Sequence, residues 1–185
     1  MTDEEVIMNQ EIAERRGYRE VLVLVVLMTM STVSVAGGAT TSKLTMKGLK
    51  ARANGEHAQA HIYLEQACDN GDPTGCFVKG VMFLESNGSV DDKQTARALF
   101  ERACDGKNAA GCTNLAIMMA SGDGGPEDHE SARDLYKISC DAGQALACHN
   151  LAELYDQGLL ESASDTDMVK ALRVKACALG VELSC

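Results

Sequence analysis

Tryptophan is absent from the sequence, and aromatic residues of all kinds make up only 4% of it. Sheets draw on aromatic and β-branched residues. No run of them occurs after residue 36, which argues against a sheet domain there. Proline is nearly absent too: Pro73 and Pro126 each stand beside Asp or Gly in turn-like sequence. Positive charge is in short supply, with 17 Lys and Arg against 27 Asp and Glu, a formal charge of −10. Past residue 36 the balance is 14 bases against 21 acids, or −7. An acidic surface without a basic stripe repels phosphate, so nucleic acid is not an expected partner.

Several chemistries lack their residues. There is no Cys-x-x-Cys for a redox centre. No Ser-x-x-Lys, Ser-Asp-Asn or Lys-Thr-Gly is present to build a serine β-lactamase. No glycine-rich phosphate loop follows a strand. The histidines are His57, His61, His129 and His149. His57 and His61 share one helix face at i, i+4 and read as polar residues on a solvated face rather than as a metal grip. No cofactor, metal site or catalytic residue is expected.

What the chain has in quantity is Ala and Leu, which favour helix. Its 185 residues suffice for one domain plus an appendage. The appendage is residues 1–36. Val21 to Ala36 reads VLVLVVLMTMSTVSVA without a charge, behind Arg15, Arg16 and Arg19. This run predicts a hydrophobic signal or anchor helix. Small residues at Ser34-Val35-Ala36 would suit a signal peptidase, while the polar lead before the run favours an uncleaved anchor. Residues 37–185 form the second unit.

That unit is periodic. Cysteines fall at 68, 76, 104, 112, 140, 148, 177 and 185, so that the first members of each pair are 36, 36 and 37 residues apart. Periods of 20–50 residues indicate a solenoid. The sequence before each first cysteine repeats as well: Ala60, Tyr63, Leu64, Ala67; Ala96, Leu99, Phe100, Ala103; Ala132, Leu135, Tyr136, Ser139; Val169, Leu172, Arg173, Ala176. Spacing at i, i+3, i+4 and i+7 is one stripe of a helix, here called helix B. Arg173 breaks the apolar register in the last copy, where an end repeat has no neighbour to bury it. A second helix, helix A, opens at each second cysteine, with small residues at Gly80, Ala116 and Ala152 that permit close approach. Asn87-Gly88, Gly122 to Pro126 and Gly158 close helix A, and acids at Asp91-Asp92, Glu127-Asp128 and Asp165/Asp167 suit the next N-terminus. Residues 41–54 predict a degenerate first helix A, and the chain past Cys177 a stub of another.

Eight cysteines allow 105 pairings, and the period selects the local one: Cys68 with Cys76, Cys104 with Cys112, Cys140 with Cys148, Cys177 with Cys185. Gly71, Gly106 and Gly143 are expected to turn the chain after helix B. Zinc would favour tighter spacings in a fourfold cluster, and free buried thiols are the other alternative. Disulfides would place residues 37–185 in an oxidising, extracytoplasmic compartment, and the apolar run at 21–36 agrees.

The strings Ala103-Cys104-Asp105-Gly106 and Gly111-Cys112-Thr113-Asn114-Leu115-Ala116 resemble the cysteine-rich branch of Sel-one-like repeats, as in the Helicobacter cysteine-rich proteins. The resemblance covers about residues 44–185. It implies a right-handed α/α superhelical solenoid related to tetratricopeptide repeats, periplasmic or secreted. It implies binding of a protein, peptide or cell-wall-like ligand, with a weak β-lactamase or penicillin-binding activity as the alternative. Where that family has Leu-Gly in helix A, this chain has Leu115-Ala116 and Leu151-Ala152.

Asn114 and Asn150 hold one register, two residues after a cysteine, with His149 beside the second. Tetratricopeptide-like grooves use Asn there to hold peptide backbone, since an amide both donates and accepts. A structural Asn that bridges repeats is the alternative. A protein or peptide is thus the expected partner, with a membrane contact through residues 21–36 if that run is retained.

Overall fold

The computed structural model describes residues 43–86, 89–160 and 166–185. The hydrophobic run at 21–36, with its signal or anchor reading, lies outside them, as do Asn87-Gly88 and Asp165. Every element among the described residues is helical: α1 over 43–53, then α2 (His57–Asp69), α3 (Pro73–Glu85), α4 (Val90–Asp105), α5 (Ala109–Ser121), α6 (His129–Asp141), α7 (Ala145–Asp156) and α8 (Thr166–Ala178). A single 3-10 turn, Glu182–Ser184, comes after α8. From α2 to α8, each helix packs on its neighbours in sequence. The odd-numbered helices are the A helices and the even-numbered ones the B helices of an α/α solenoid. No described helix is long and apolar enough to cross a membrane.

The stripe on helix B becomes the core. Ala60, Leu64 and Ala67, then Ala96, Phe100 and Ala103, are fully covered. Ala132, Ser139 and Ala176 are as well, with Tyr136 nearly so. Small residues on helix A receive this stripe. A Cβ on Gly80 would lie 2.7 Å from the Phe100 ring, inside van der Waals contact, so the glycine is required for the ring to seat. Ala116 and Ala152 fill the same register in the next two copies and are fully buried. Arg173, in the aromatic register, lies on the surface and donates to Glu153 at 3.0 Å and to Asp156.

One device joins every helix B to the segment after it. In the first copy Gly71 N–H donates to Cys68 C=O (3.0 Å) and Asp72 N–H to Ala67 C=O (2.9 Å). This pair of bonds is the Schellman closure of a helix C-terminus. The same two bonds recur from Lys107 and Asn108, from Gly143 and Gln144, and from Gly180 and Val181. In the first two copies the residue that ends the closure also caps the next helix A. Asp72 accepts from Thr74 N–H, and Asn108 accepts from Gly111 N–H. Three residues therefore reverse the chain.

The left-handed position of this turn is Gly71 (φ 83°), Lys107 (φ 65°), Gly143 (φ 89°) and Gly180 (φ 105°). Gly106 is not one of them: its φ is −76°. The expectation that Gly106 turns the chain is off by one residue, and a lysine holds the strained place. Gly106 answers a different demand, because a Cβ there would sit 2.6 Å from the Pro73 Cβ.

Candidate binding face

All eight cysteines are paired within their repeats: 68–76, 104–112, 140–148 and 177–185. Each bond ties the last turn of a helix B to the segment beyond the Schellman closure. That segment is the first turn of a helix A in three copies and the 3-10 turn in the last. Closing nine residues is worth roughly 2–3 kcal/mol on the chain-entropy account of cross-links. The paired Cα atoms are closest where a glycine lies beneath them. Where Ala67 faces Gly75 and Ala103 faces Gly111, it is 4.5 Å. A Cβ on either glycine would come within 2.6 Å of the facing alanine Cβ. Where Ser139 and Ala147 take those places, the separation is 4.7 Å, and with Ala176 and Ser184 it is 5.0 Å.

The two asparagines share a register and differ in what they do. Asn114 is half-buried, and its amide donates to the Ala110 carbonyl one turn back, at 2.9 Å. Asn150 donates to the Tyr136 hydroxyl at 3.4 Å, across from helix A to helix B. The difference originates in the facing register. Position 100 is Phe and has no oxygen to offer, while Tyr136 carries its hydroxyl one atom further towards helix A. Burial pushes the Tyr136 phenol up to about 12, so it stays protonated at neutral pH. The Asn150 carbonyl oxygen and the Tyr136 proton make no bond among the described residues, which leaves one acceptor and one donor at the same spot.

Tyr136 and Asn150 are among the residues lining an open groove of about 330 Å³ on the helix-A side, between α5 and α7. Ile117, Ala120, Leu146 and Leu154 supply its apolar wall, and Leu146 is 48% exposed. His149 does not line it. Its Nδ1 lies 2.8 Å from the Ser184 hydroxyl, tying α7 to the 3-10 turn. A cavity of about 230 Å³ opens between α6, α7 and α8 along Leu151, Tyr155, Met168 and Leu172. Its cations are engaged already: Lys137 with Asp141 at 3.1 Å, Arg133 with Glu130 and Asp134.

His57 is exposed, and His61 packs edge-on against Phe83 with ring centroids 5.4 Å apart. No group of His, Cys, Asp and Glu with the makings of a metal site occurs among the described residues. Sequence reasoning passed over Tyr136 and Leu146 as binding residues. The signal for Tyr136 was present in the Leu64, Phe100, Tyr136, Arg173 register, where it alone adds a neutral hydroxyl.

Comparison with known proteins agrees with this geometry. Residues 46–72, 80–108, 109–144 and 145–173 match the Sel1 repeat. The last two segments each take one helix A and much or all of the next helix B. A protective antigen of uropathogenic Escherichia coli strains, displaying an SLR fold, superposes with a TM-score of 0.71 at 27% identity. That match covers 80% of this chain and 32% of the antigen. A Sel1 repeat protein from Oxalobacter formigenes superposes with a TM-score of 0.69 at 16% identity, over 76% of this chain and 57% of the other. The chain thus spans about a third of the first protein and over half of the second. No curated protein matches. With four repeat matches laid over most of the helices, the chain belongs to the Sel1 repeat family.

Proposed function

We propose that this protein is an extracytoplasmic scaffold that holds a protein or peptide segment against its helix-A face. One observation carries the reading: the open groove between α5 and α7 combines an apolar wall with a hydroxyl donor, Tyr136, and an amide acceptor, Asn150, that are both unpaired among the described residues. An extended peptide offers the same set in complement, a carbonyl, an N–H and a side chain. With Tyr136 buried and Asn150 half-buried, a ligand that satisfies both groups is favoured over one that covers them and leaves either unpaired. The extracytoplasmic part rests on the disulfides, one per repeat, which a reducing cytosol would not maintain.

Site-specific photo-crosslinking tests this. A crosslinker at Leu146 should capture a polypeptide in the native host, and Asn150→Ala should reduce that capture by about fivefold or more, near 1 kcal/mol of lost binding. One at Val90, exposed at the start of α4, should not capture it. Equal capture at both positions, or capture indifferent to Asn150, would defeat the reading. Nitrocefin turnover by disulfide-intact protein, well above a reduced control, would move it to the hydrolase alternative.

A further inference from the structure

The crevice between one repeat and the next is not filled in the same way along the chain. In the first copy it holds a ring. His61 on α2 packs edge-on against Phe83 on α3, with ring centroids 5.4 Å apart. Lys79 lies 6.0 Å over the Phe83 ring and pairs with Glu65 at 2.9 Å. Leu99 of α4 closes the far side in the same cluster as Phe83. Two 36-residue steps later, the register holds Arg133 for His61, Lys137 for Glu65, Leu151 for Lys79 and Tyr155 for Phe83. The receiving ring is kept, as Tyr155, while the ring that packed against it is gone. At that place lies the cavity of about 230 Å³ between α6, α7 and α8. The two crevices are walled by equivalent helices, so what distinguishes them is the side chains at these four positions.

The lining selects for an aromatic group. Leu151, 4% exposed, and Leu172 give it apolar walls. Cys140 and Met168 bring sulfur, which is favourable at the edge of a ring. Tyr155 offers a ring for an edge-on or offset partner. Arg133 and Lys137 line the cavity too, but their charged ends are held. Arg133 pairs with Glu130, and with Asp134 at 2.7 Å; Lys137 pairs with Asp141 at 3.1 Å, which also takes Lys175 at 3.3 Å. Each cation at the mouth is matched by a carboxylate. A charged ligand would lose hydration here and find no free counter-ion. Size narrows the choice further. An apolar cavity of about 150 Å³ holds benzene, so this one has room for a single substituted ring. It falls short of the roughly 300–1,000 Å³ of pockets for larger ligands.

We infer that the cavity between α6, α7 and α8 is an anchor site for one neutral aromatic side chain of a polypeptide partner, seated against Tyr155 as His61 is seated against Phe83. The first copy supplies the precedent, since its occupant is itself a side chain. The ion pairs around the mouth exclude water from the seated ring, the arrangement found around aromatic anchors in protein interfaces. The site is separate from the groove between α5 and α7 and stands without it.

The test is a methyl-labelled full chain, disulfides intact, titrated with N-acetylphenylalaninamide and read by nuclear magnetic resonance. This probe carries the ring as a polypeptide presents it. The methyl signals of Leu151, Met168 and Leu172 should shift with a Kd of about a millimolar or tighter, ordinary for a ligand of this size. Those of Ile117 and Leu146 should stay in place. Benzoate and benzylamine, which add a charge to the same ring, should bind at least about tenfold more weakly than benzyl alcohol. Arg133→His restores the ring of the first copy, and Leu172→Trp fills the space from α8. Each should weaken binding about tenfold or more because the pocket is then occupied, with circular dichroism showing that the helices are retained. Absence of shifts at the three methyls, shifts at Ile117 and Leu146 in their place, tightest binding by a charged ring, or undiminished binding in either variant that folds would overturn the inference. So would binding of benzyl alcohol without binding of N-acetylphenylalaninamide, because the cavity would then be shut to a ring carried on a backbone.

Discussion

Ser139 sits where the other three copies have alanine: Ala67, Ala103 and Ala176. It is completely buried, and its hydroxyl has no hydrogen-bond partner among the described residues. Desolvating a hydroxyl without a partner costs about 1–3 kcal/mol. Ser139→Ala removes that penalty along with one oxygen atom. The void left is on the order of 10–20 Å³, which at about 24 cal/mol per Å³ returns less than ~0.5 kcal/mol of the gain. Ser139→Ala should therefore stabilise the solenoid by about 1 kcal/mol. Urea unfolding monitored by circular dichroism, with all disulfides intact, measures it. The reciprocal change Ala103→Ser places a hydroxyl in an equally closed site, where the chain is already at its tightest against Gly111, and should cost about 1–3 kcal/mol. If Ser139→Ala is neutral or destabilising, the hydroxyl is satisfied in solution and the repeat does not demand an apolar residue there.

Particular residues carry three other expectations. Lys107 holds a left-handed φ of 65° where its equivalents are glycine; Lys107→Gly should stabilise by about 0.5–1 kcal/mol in the same assay, and Gly143→Ala should cost about 1. Arg102 pairs with Asp69 at 3.1 Å and Lys175 with Asp141 at 3.3 Å, but the intervening register holds Ile138, 59% exposed, opposite Asp105. Ile138→Arg should complete the ladder for about 0.3–1 kcal/mol, a gain that about 1 M salt removes; persistence in salt would mean the gain is not ionic. The carboxyls of Asp92, Asp123, Asp128 and Asp141 are held below their ordinary values, chiefly by hydrogen bonds from Ser89, Lys93, Ser131 and Lys137 respectively. Folded values below unfolded ones mean that this stability is fully present above about pH 4 and is lost as pH falls through the lower folded values. The urea midpoint should hold from about pH 7 to 5 and drop below about pH 4; a flat profile to about pH 2 would contradict it.

The solenoid was legible because period and packing coincide. The residues that mark the repeat, Ala60, Leu64 and Ala67 with their counterparts, are the ones that pack between helices, so reading the sequence amounted to reading the core. The turn after helix B was legible only in part. Glycine has two uses, left-handed backbone and close approach, and sequence does not distinguish them. Gly71 and Gly143 serve the first use and Gly106 the second. The 36-residue step from Gly71 to Lys107 to Gly143 contained the right answer, but a lysine hides a left-handed position because the favoured residue is missing. Arg173 was legible as a break in the apolar register, while its bonds to Glu153 and Asp156 were not, since they depend on how α8 lies against α7.

The candidate site shows where periodic reasoning stops. Equal register predicts equal backbone placement, and Asn114 and Asn150 do occupy equivalent places on α5 and α7. Their chemistry diverges because each amide bonds to whatever the facing helix B offers. Phe100 offers nothing polar, so Asn114 turns to its own helix; Tyr136 offers a hydroxyl, so Asn150 reaches across. One oxygen in the facing residue thus converts a self-satisfied asparagine into part of a donor–acceptor pair beside an open groove. The difference between the two repeats lies in the pairing of residues 14 apart, Tyr136 with Asn150, rather than in either position alone. A repeat array keeps its architecture while such pairs vary, which is how similar units come to differ in the polar groups they present from one repeat to the next.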